Sequence, residues 1–291
     1  MGNVLFDRDL VLNVGGLRIA SRLSDQAREE LGLQAQDVAT ILRVTFKVTR
    51  SLKKEPNKAE ITLYNLKESN RISLQERNQA TTLEAGYVDN ISQIFSGDLE
   101  FAQNKQDGRN WITTLQSADS SAAYKSARVN TSLKGPAALG DALRTAAKAL
   151  GIGDGNLEET ISNGSLRGKL IEFVSGVVLS GKAELNVDKI AKSMGLTWSI
   201  QDGQLLFLGP TQFLEARAVK LTPGSGLVGS PEAGEDGVLA VRSLLQPDLL
   251  PGQRVQIQNA QIDGFFRIEK TVYIGDTRGR EWYADMECKP L

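Results

Sequence analysis

"GDTRGREWYADMECKP", residues 275–290, has a counterpart far upstream in "NKQDGRNWITTLQSAD", residues 104–119. Each has a polar turn with Gly then Arg, one further residue, a Trp, and then a strand of alternating apolar and polar residues. Such alternation is the mark of a half-buried strand, and the Gly-containing turn makes each stretch one arm of a hairpin. The two tryptophans, Trp111 and Trp282, stand 171 positions apart. An ungapped superposition places Phe95, Phe101, Gly108, Arg109, Trp111 and Leu115 on Phe266, Val272, Gly279, Arg280, Trp282 and Met286.

Two unrelated hairpins would share alternation, so the order of the surrounding segments matters more. Upstream, "ITLYNL" (61–66) is comparable to "LAVRSL" (239–244), and "TTLEAG" (81–86) to "QRVQIQ" (253–258). Both regions therefore read strand, connection, strand, strand, turn, strand, with a gap in the connection. The repeat predicts two similar antiparallel β-barrel domains, at 1–119 and 218–291, around a central α+β insert at 120–217. The fold class is mainly β, α+β overall.

Further strands of the first region follow from "RDLVLNVGGLRIAS" (8–21), a hairpin around Gly15-Gly16, and from "VATILRVTFKVTRS" (38–51). "SDQAREELGLQ" between them reads as a short polar helix or loop. In the insert, Leu139, Leu143, Ala146, Ala147 and Leu150 fall at helical spacing, with Gly151 placed as a C-cap. A second helix is expected over 184–195, capped by Asn186, followed by a hairpin turning at Asp202-Gly203.

Composition narrows the chemistry. The chain of 291 residues is 41% hydrophobic and 24% charged, enough for a sizeable core and two or three domains. Lys and Arg total 34 against 35 Asp and Glu, which lacks the basic excess of a nucleic-acid binder. With no histidine, there can be no His triad, His general base or His-ligated zinc. The single cysteine, Cys288, lies in an alternating strand and has no His to activate it, so a structural thiol is expected. "GIGDGN" (151–156) lacks the dinucleotide-binding spacing and follows a helix, and no P-loop pattern occurs. "TPGSGLVGSPEAGEDG" (222–237) reads as a flexible acidic loop suited to docking. Glu158-Glu159, or Glu232 with Glu235 and Asp236, are the carboxylate pairs a glycosidase would need, but both sit in polar loops. Lys53, Lys54 and Lys58 read as a solvated turn. No catalytic residue, cofactor site or metal site is assigned. The N-terminus lacks the apolar core of a signal peptide and the Ser or Thr of a myristoylation pattern, and no stretch approaches a membrane span.

The series "ITLYNLKESNR", "LEAGY", "IFSGDLEFAQ", "NWITTLQSAD", "GLVGSP", "VRSLLQPDLLPGQRVQI" and "GFFRIEKTVYIGDTRGREWYADMECKP" resembles the baseplate hub proteins of contractile-tailed bacteriophages. These are related to the late control protein D group and to the hub portion of type VI secretion spikes. The resemblance covers nearly the whole chain. It implies a non-enzymatic virion protein, assembled in the bacterial cytoplasm. Its members are homotrimers with two tube β-barrels per chain, forming a pseudo-sixfold ring. Such a ring joins the tail tube protein or tube initiator above to the central spike below and lets DNA pass, without membrane insertion. Under it, Phe95, Phe101, Trp111 and Leu115, and Phe266, Val272, Trp282 and Met286, are core residues of the two barrels. Gly108-Arg109 and Gly279-Arg280 are the turns of the wall hairpins, and the insert is an outer decoration touching wedge proteins. The rival reading is a tail-tip cell-wall hydrolase or peptidoglycan-binding module using Glu158 and Glu159.

Overall fold

A computed structural model describes residues 7–21, 42–88, 90–162, 172–173, 176–234 and 237–291. The segment "SDQAREELGLQ", the start of "VATILRVTFKVTRS" and the pair Glu235-Asp236 lie outside the described residues, wholly or nearly so. The chain divides into two compact units. The first comprises Met1–Arg50, Lys58–Ala118 and Glu215–Leu291, and the second Ser51–Asn57 and Asp119–Leu214.

With elements numbered in chain order, the first unit holds β1 (Arg8–Val14), β2 (Leu17–Ala20), β3 (Val44–Ser51), β4 (Lys58–Tyr64), β5 (Ala80–Tyr87), β6 (Asn90–Asp107) and β7 (Asn110–Ala118). From the C-terminal region come β14 (Leu214–Leu221), β15 (Leu227–Ala233), β16 (Leu239–Leu244), β17 (Gln253–Gln258), β18 (Asp263–Asp276) and β19 (Trp282–Pro290). All belong to one thirteen-stranded sheet. Its N-terminal half runs β3-β4-β7-β6-β5-β1 and its C-terminal half β15-β16-β19-β18-β17-β14, the same order twice. The halves meet where β18 lies beside β3. There the Thr277 N–H donates to the Val44 carbonyl at 3.0 Å, and the Val44 N–H donates to Thr277 Oγ1 at 3.0 Å.

Alternation explains why these segments are strands. β3 and β4 bury every second side chain, including Val44, Phe46, Val48, Ile61 and Leu63. β-Branched and aromatic residues pack on that pleated face. Both halves feed one core, in which Leu83 and Phe95 from the first join Ile257, Tyr273 and Met286 from the second.

One expectation changes here. "TPGSGLVGSPEAGEDG" is not simply a loop. Thr222 and Ser225 form a reciprocal cap around a short 3-10 turn, and β15 follows, anchored by buried Leu227 and paired to β16. β15 then bulges between Val228 and Glu232, around Pro231.

The second unit packs α3 (Leu139–Leu150) and α5 (Ala183–Ser193) with the antiparallel pair β8 (Arg128–Leu133)/β11 (Val177–Lys182) and the hairpin β12 (Thr197–Gln201)/β13 (Gln204–Leu208). The apolar stripe of α3 is buried as its spacing predicts. Asp202 and Gly203 both take positive φ in the β12–β13 turn, as a type I′ turn requires. Asn186 does not start the second helix. α5 begins at Ala183, and Asn186 Nδ2 donates back to the Ser180 and Lys182 carbonyls. Lys54 is ion-paired to Asp188 at 3.3 Å instead of standing free in solvent.

Candidate functional site

The paired hairpins β6–β7 and β18–β19 are the residues the sequence singles out. Each carries one extra residue on its first strand, Glu100 between Leu99 and Phe101, and Glu269 between Ile268 and Lys270. The partners flanking the bulge are Gln116 and Ser117 in one hairpin and Glu287 and Cys288 in the other. Those lie the same distance beyond Trp111 and Trp282. The Asn65 N–H donates to the Trp111 carbonyl at 2.7 Å, and the Leu245 N–H to the Trp282 carbonyl at 3.1 Å. A bulge at a shared position is a specific feature of backbone architecture, where alternation alone is generic.

The pairing corrects the ungapped superposition. Gln106 faces Trp111 and Gly275 faces Trp282, so the tip between them is 107–110 in one hairpin and 276–281 in the other. β7 and β19 keep the expected match, with Leu115 level with Met286. On the other arm Phe101 is level with Lys270, not Val272, and Phe95 with Gly264, not Phe266. Ile61 is likewise level with Val241, not Leu239. Phe95, Leu115, Trp282 and Met286 are buried, and Phe266 and Val272 are half-buried. Phe101 is 45% exposed and Trp111 38% exposed, so neither is a core residue of this chain. The bulge accounts for Phe101, because one added residue exchanges the faces of the strand beyond it.

The two tips differ in surroundings. At the β6–β7 tip, Gly108 supplies a positive φ of 57°, and Gly108, Arg109 and Asn110 are all exposed. At the β18–β19 tip, Asp276 takes Arg43 Nε and Nη2 in two bonds of 3.2 and 2.6 Å, and the Arg278 N–H at 2.9 Å. Arg8 donates to the carbonyls of Asp276, Gly279 and Arg280 at 3.1, 2.6 and 3.0 Å. Burial works to raise the Asp276 pKa, but the Arg43 guanidinium and the backbone donors outweigh it and hold the carboxyl below its ordinary value. The hydrogen bond to Asp276 raises Arg43 in turn.

Trp282 is 1% exposed because the N-terminal half builds its pocket. Phe46 of β3 meets it edge-on with centroids 5.4 Å apart, Arg8 of β1 lies over its ring at 5.5 Å, and its Nε1 donates to the Gly86 carbonyl of β5 at 3.1 Å. Gly275 permits this packing, since a Cβ there would lie 2.3 Å from the Phe46 ring. The equivalent Trp111 has Arg71 of the short helix α1 (Glu68–Ser73) over its ring at 3.8 Å.

The candidate acids behave differently from a hydrolytic pair. Glu158 is held by Arg144 in bonds of 2.6 and 2.8 Å, and that contact lowers its pKa, the reverse of what a proton donor needs. Glu232 sits exposed on β15. Burial pushes the Cys288 thiol up to about 12, away from thiolate chemistry. Among the described residues, no three His, Cys, Asp or Glu side chains gather as a metal cluster, and no helix is long and apolar enough to cross a membrane.

Solved structures with this fold include the 43 kDa tail protein of prophage MuSo2 from Shewanella oneidensis, with a TM-score of 0.65, 11% identity, and coverage of 98% of this chain and 97% of that one. A tail protein from Neisseria meningitidis MC58 gives 0.58 at 11% identity, covering 98% and 97%. The E. coli c3393 protein, a type VI secretion component described as similar to the T4 tail proteins gp27 and gp5, gives 0.56 at 9% identity, covering 96% and 76%. At such identities the likeness is one of fold. No curated protein matches the chain in sequence. The sequence profile of the baseplate hub gp41 family matches residues 17–288, nearly the whole length, and the chain therefore belongs to that phage baseplate family.

Proposed function

We propose that three copies of this chain close a ring whose wall contains six equivalent segments, two from each polypeptide. The ring is the hub of a contractile tail, joining a sixfold tube or tube initiator above to a threefold spike below. DNA passes through its lumen without being gripped, in keeping with a net charge of only −1. The protein works by assembly and not by turnover. The observation that carries this reading is the strand order repeated within one sheet, with a bulge at the same place in both hairpins. A chain that supplies two like segments lets threefold and sixfold neighbours meet without mismatch. In this reading the buried residues Phe95, Leu115, Trp282 and Met286 stiffen the two wall segments, the tips at Gly108-Arg109 and Gly279-Arg280 mark equivalent points on the circumference, and the second unit is the part that contacts wedge proteins.

Native mass spectrometry of the purified chain, alone and with its tube and spike neighbours, tests this directly. A trimer with a pseudo-sixfold reconstruction is expected. A chain that stays monomeric beside both neighbours, or a hexamer with one wall segment per subunit, overturns it.

A further inference from the structure

Trp282 and its tip are seated by strands of the other half, whereas the equivalent tip with Trp111 has no such seat among the described residues. The comparison extends to the strands themselves. Among the described residues, β18 has three neighbours, β19, β17 and β3, while its counterpart β6 has β7 and β5 alone. β3 has β18 on its outer side, while its counterpart β15 ends the sheet with that side unpaired among the described residues. One joint between the halves is therefore made inside the chain, and both sides of a second, like joint are left open.

We propose that the β6–β7 tip of one copy docks on the β15 end of a second copy, with Trp111 entering the site between β14, β15 and β17 that corresponds to the Trp282 pocket between β1, β3 and β5. This rests on the ring proposed above and names its contact surface. Three observations single out a second copy as the occupant. Trp111 lies on the same face of β7 as buried Thr113, Leu115 and Ser117, so its exposure is an unfinished continuation of the core face. Next to Arg71 on α1, Ile72 is 62% exposed, and Nε and Nη1 of Arg71 are buried without a hydrogen-bond partner, so this end of the sheet still needs apolar cover and an acceptor. The opposing end offers an open strand edge. β15 begins with Leu227, 7% exposed on the core face, and half-buried Val228, and among the described residues no strand pairs with its outer side.

The internal joint also sets how much of β15 takes part. Thr277, just past the end of β18, exchanges hydrogen bonds with Val44 at the start of β3. The corresponding stretch of β15 precedes its bulge, and Pro231 within that bulge lacks the N–H needed to pair along the rest of the edge. Bulge and proline together limit the edge to one short contact, which prevents runaway strand pairing.

The test compares the full-length chain with Trp111→Ala and, on the opposing side, Val228→Lys. Sedimentation over a concentration series gives the association constant, and hydrogen exchange before and after assembly locates the contact. Both variants should melt within about 2 °C of wild type, because neither change removes a fully buried side chain. Both should weaken self-association about tenfold or more, as loss of an aromatic anchor does. Amides in 104–111 and 226–230 should gain protection together on assembly. Variants that assemble as wild type does, with protection elsewhere, overturn the docking surface and leave the ring standing. A wild-type chain that remains monomeric even beside tube and spike overturns the ring and this contact together.

Discussion

The β6–β7 and β18–β19 hairpins occupy equivalent places in the two halves of the sheet and share a bulge, yet their tips have opposite fates. One carries an exposed tryptophan on a four-residue tip, the other a buried tryptophan on a six-residue tip bound by two arginines. The arms are set locally by alternation and pairing. The fate of each tip is set by what the rest of the chain brings to it, so like sequence in two places does not imply like burial.

Trp282→Ala tests that difference at its strongest. The substitution empties a pocket lined by Phe46, Arg8 and the β5 backbone, and strands Arg8 above a cavity. A loss of about 3–5 kcal/mol in unfolding free energy is expected from urea denaturation, because large-to-small changes leave both lost burial and a void. A cost below about 1 kcal/mol would mean that the halves do not depend on each other through this residue.

Asp276 gives a smaller and pH-dependent effect. Its side chain is 8% exposed and gathers Arg43 and a backbone N–H, so Asp276→Ala should cost about 2–3 kcal/mol at neutral pH, in the range of hydrogen bonds to a charged group. Because its folded pKa is depressed, the carboxylate's contribution is full above the unfolded pKa of about 4 and is lost as the pH falls through the depressed folded value. The gap between wild type and variant should therefore narrow in acid, as followed by thermal melts from neutral to acid pH. A gap independent of pH would place the effect in packing instead of charge.

Much of the fold can be read in the sequence because its signals are local. Alternation in β3 and β4, the Asp202-Gly203 turn and the apolar stripe of α3 each depend on residues a few positions apart. The tryptophan repeat is legible for the same reason, and β7 matches β19 in register. The bulges are not legible, since Glu100 and Glu269 are ordinary strand-surface residues that nothing marks as extra. Without them the faces of β6 and β18 come out exchanged beyond that point, which is why Phe101 reads as core. Nor is the tip clasp legible. Arg43 and Asp276 are 233 positions apart, Arg8 and Gly279 are 271 apart, and no local pattern links them. The proposed joint is not legible either, because its first signal is that one of two equivalent tryptophans lacks, among the described residues, the partners the other has.

The smallest expected effect separates two glycines that the sequence aligns. A Cβ at Gly108 would meet nothing within 4 Å, but its φ of 57° is costly for an L-residue, so Gly108→Ala should lose about 1 kcal/mol through backbone strain alone. Gly279 has no positive φ, and its Cβ would instead lie 2.2 Å from an oxygen of the Asp276 carboxylate. That carboxylate is pinned by Arg43 and cannot swing aside freely, so Gly279→Ala should cost about 1–2 kcal/mol through crowding. Equal single-variant costs would hide the distinction, and a double-mutant cycle exposes it. Once Asp276→Ala has removed the carboxylate, adding Gly279→Ala should cost almost nothing, whereas adding Gly108→Ala should cost as much as it does alone. Additive behaviour at Gly279 would show that the second tip is held by its own backbone and not by the clasp across the two halves.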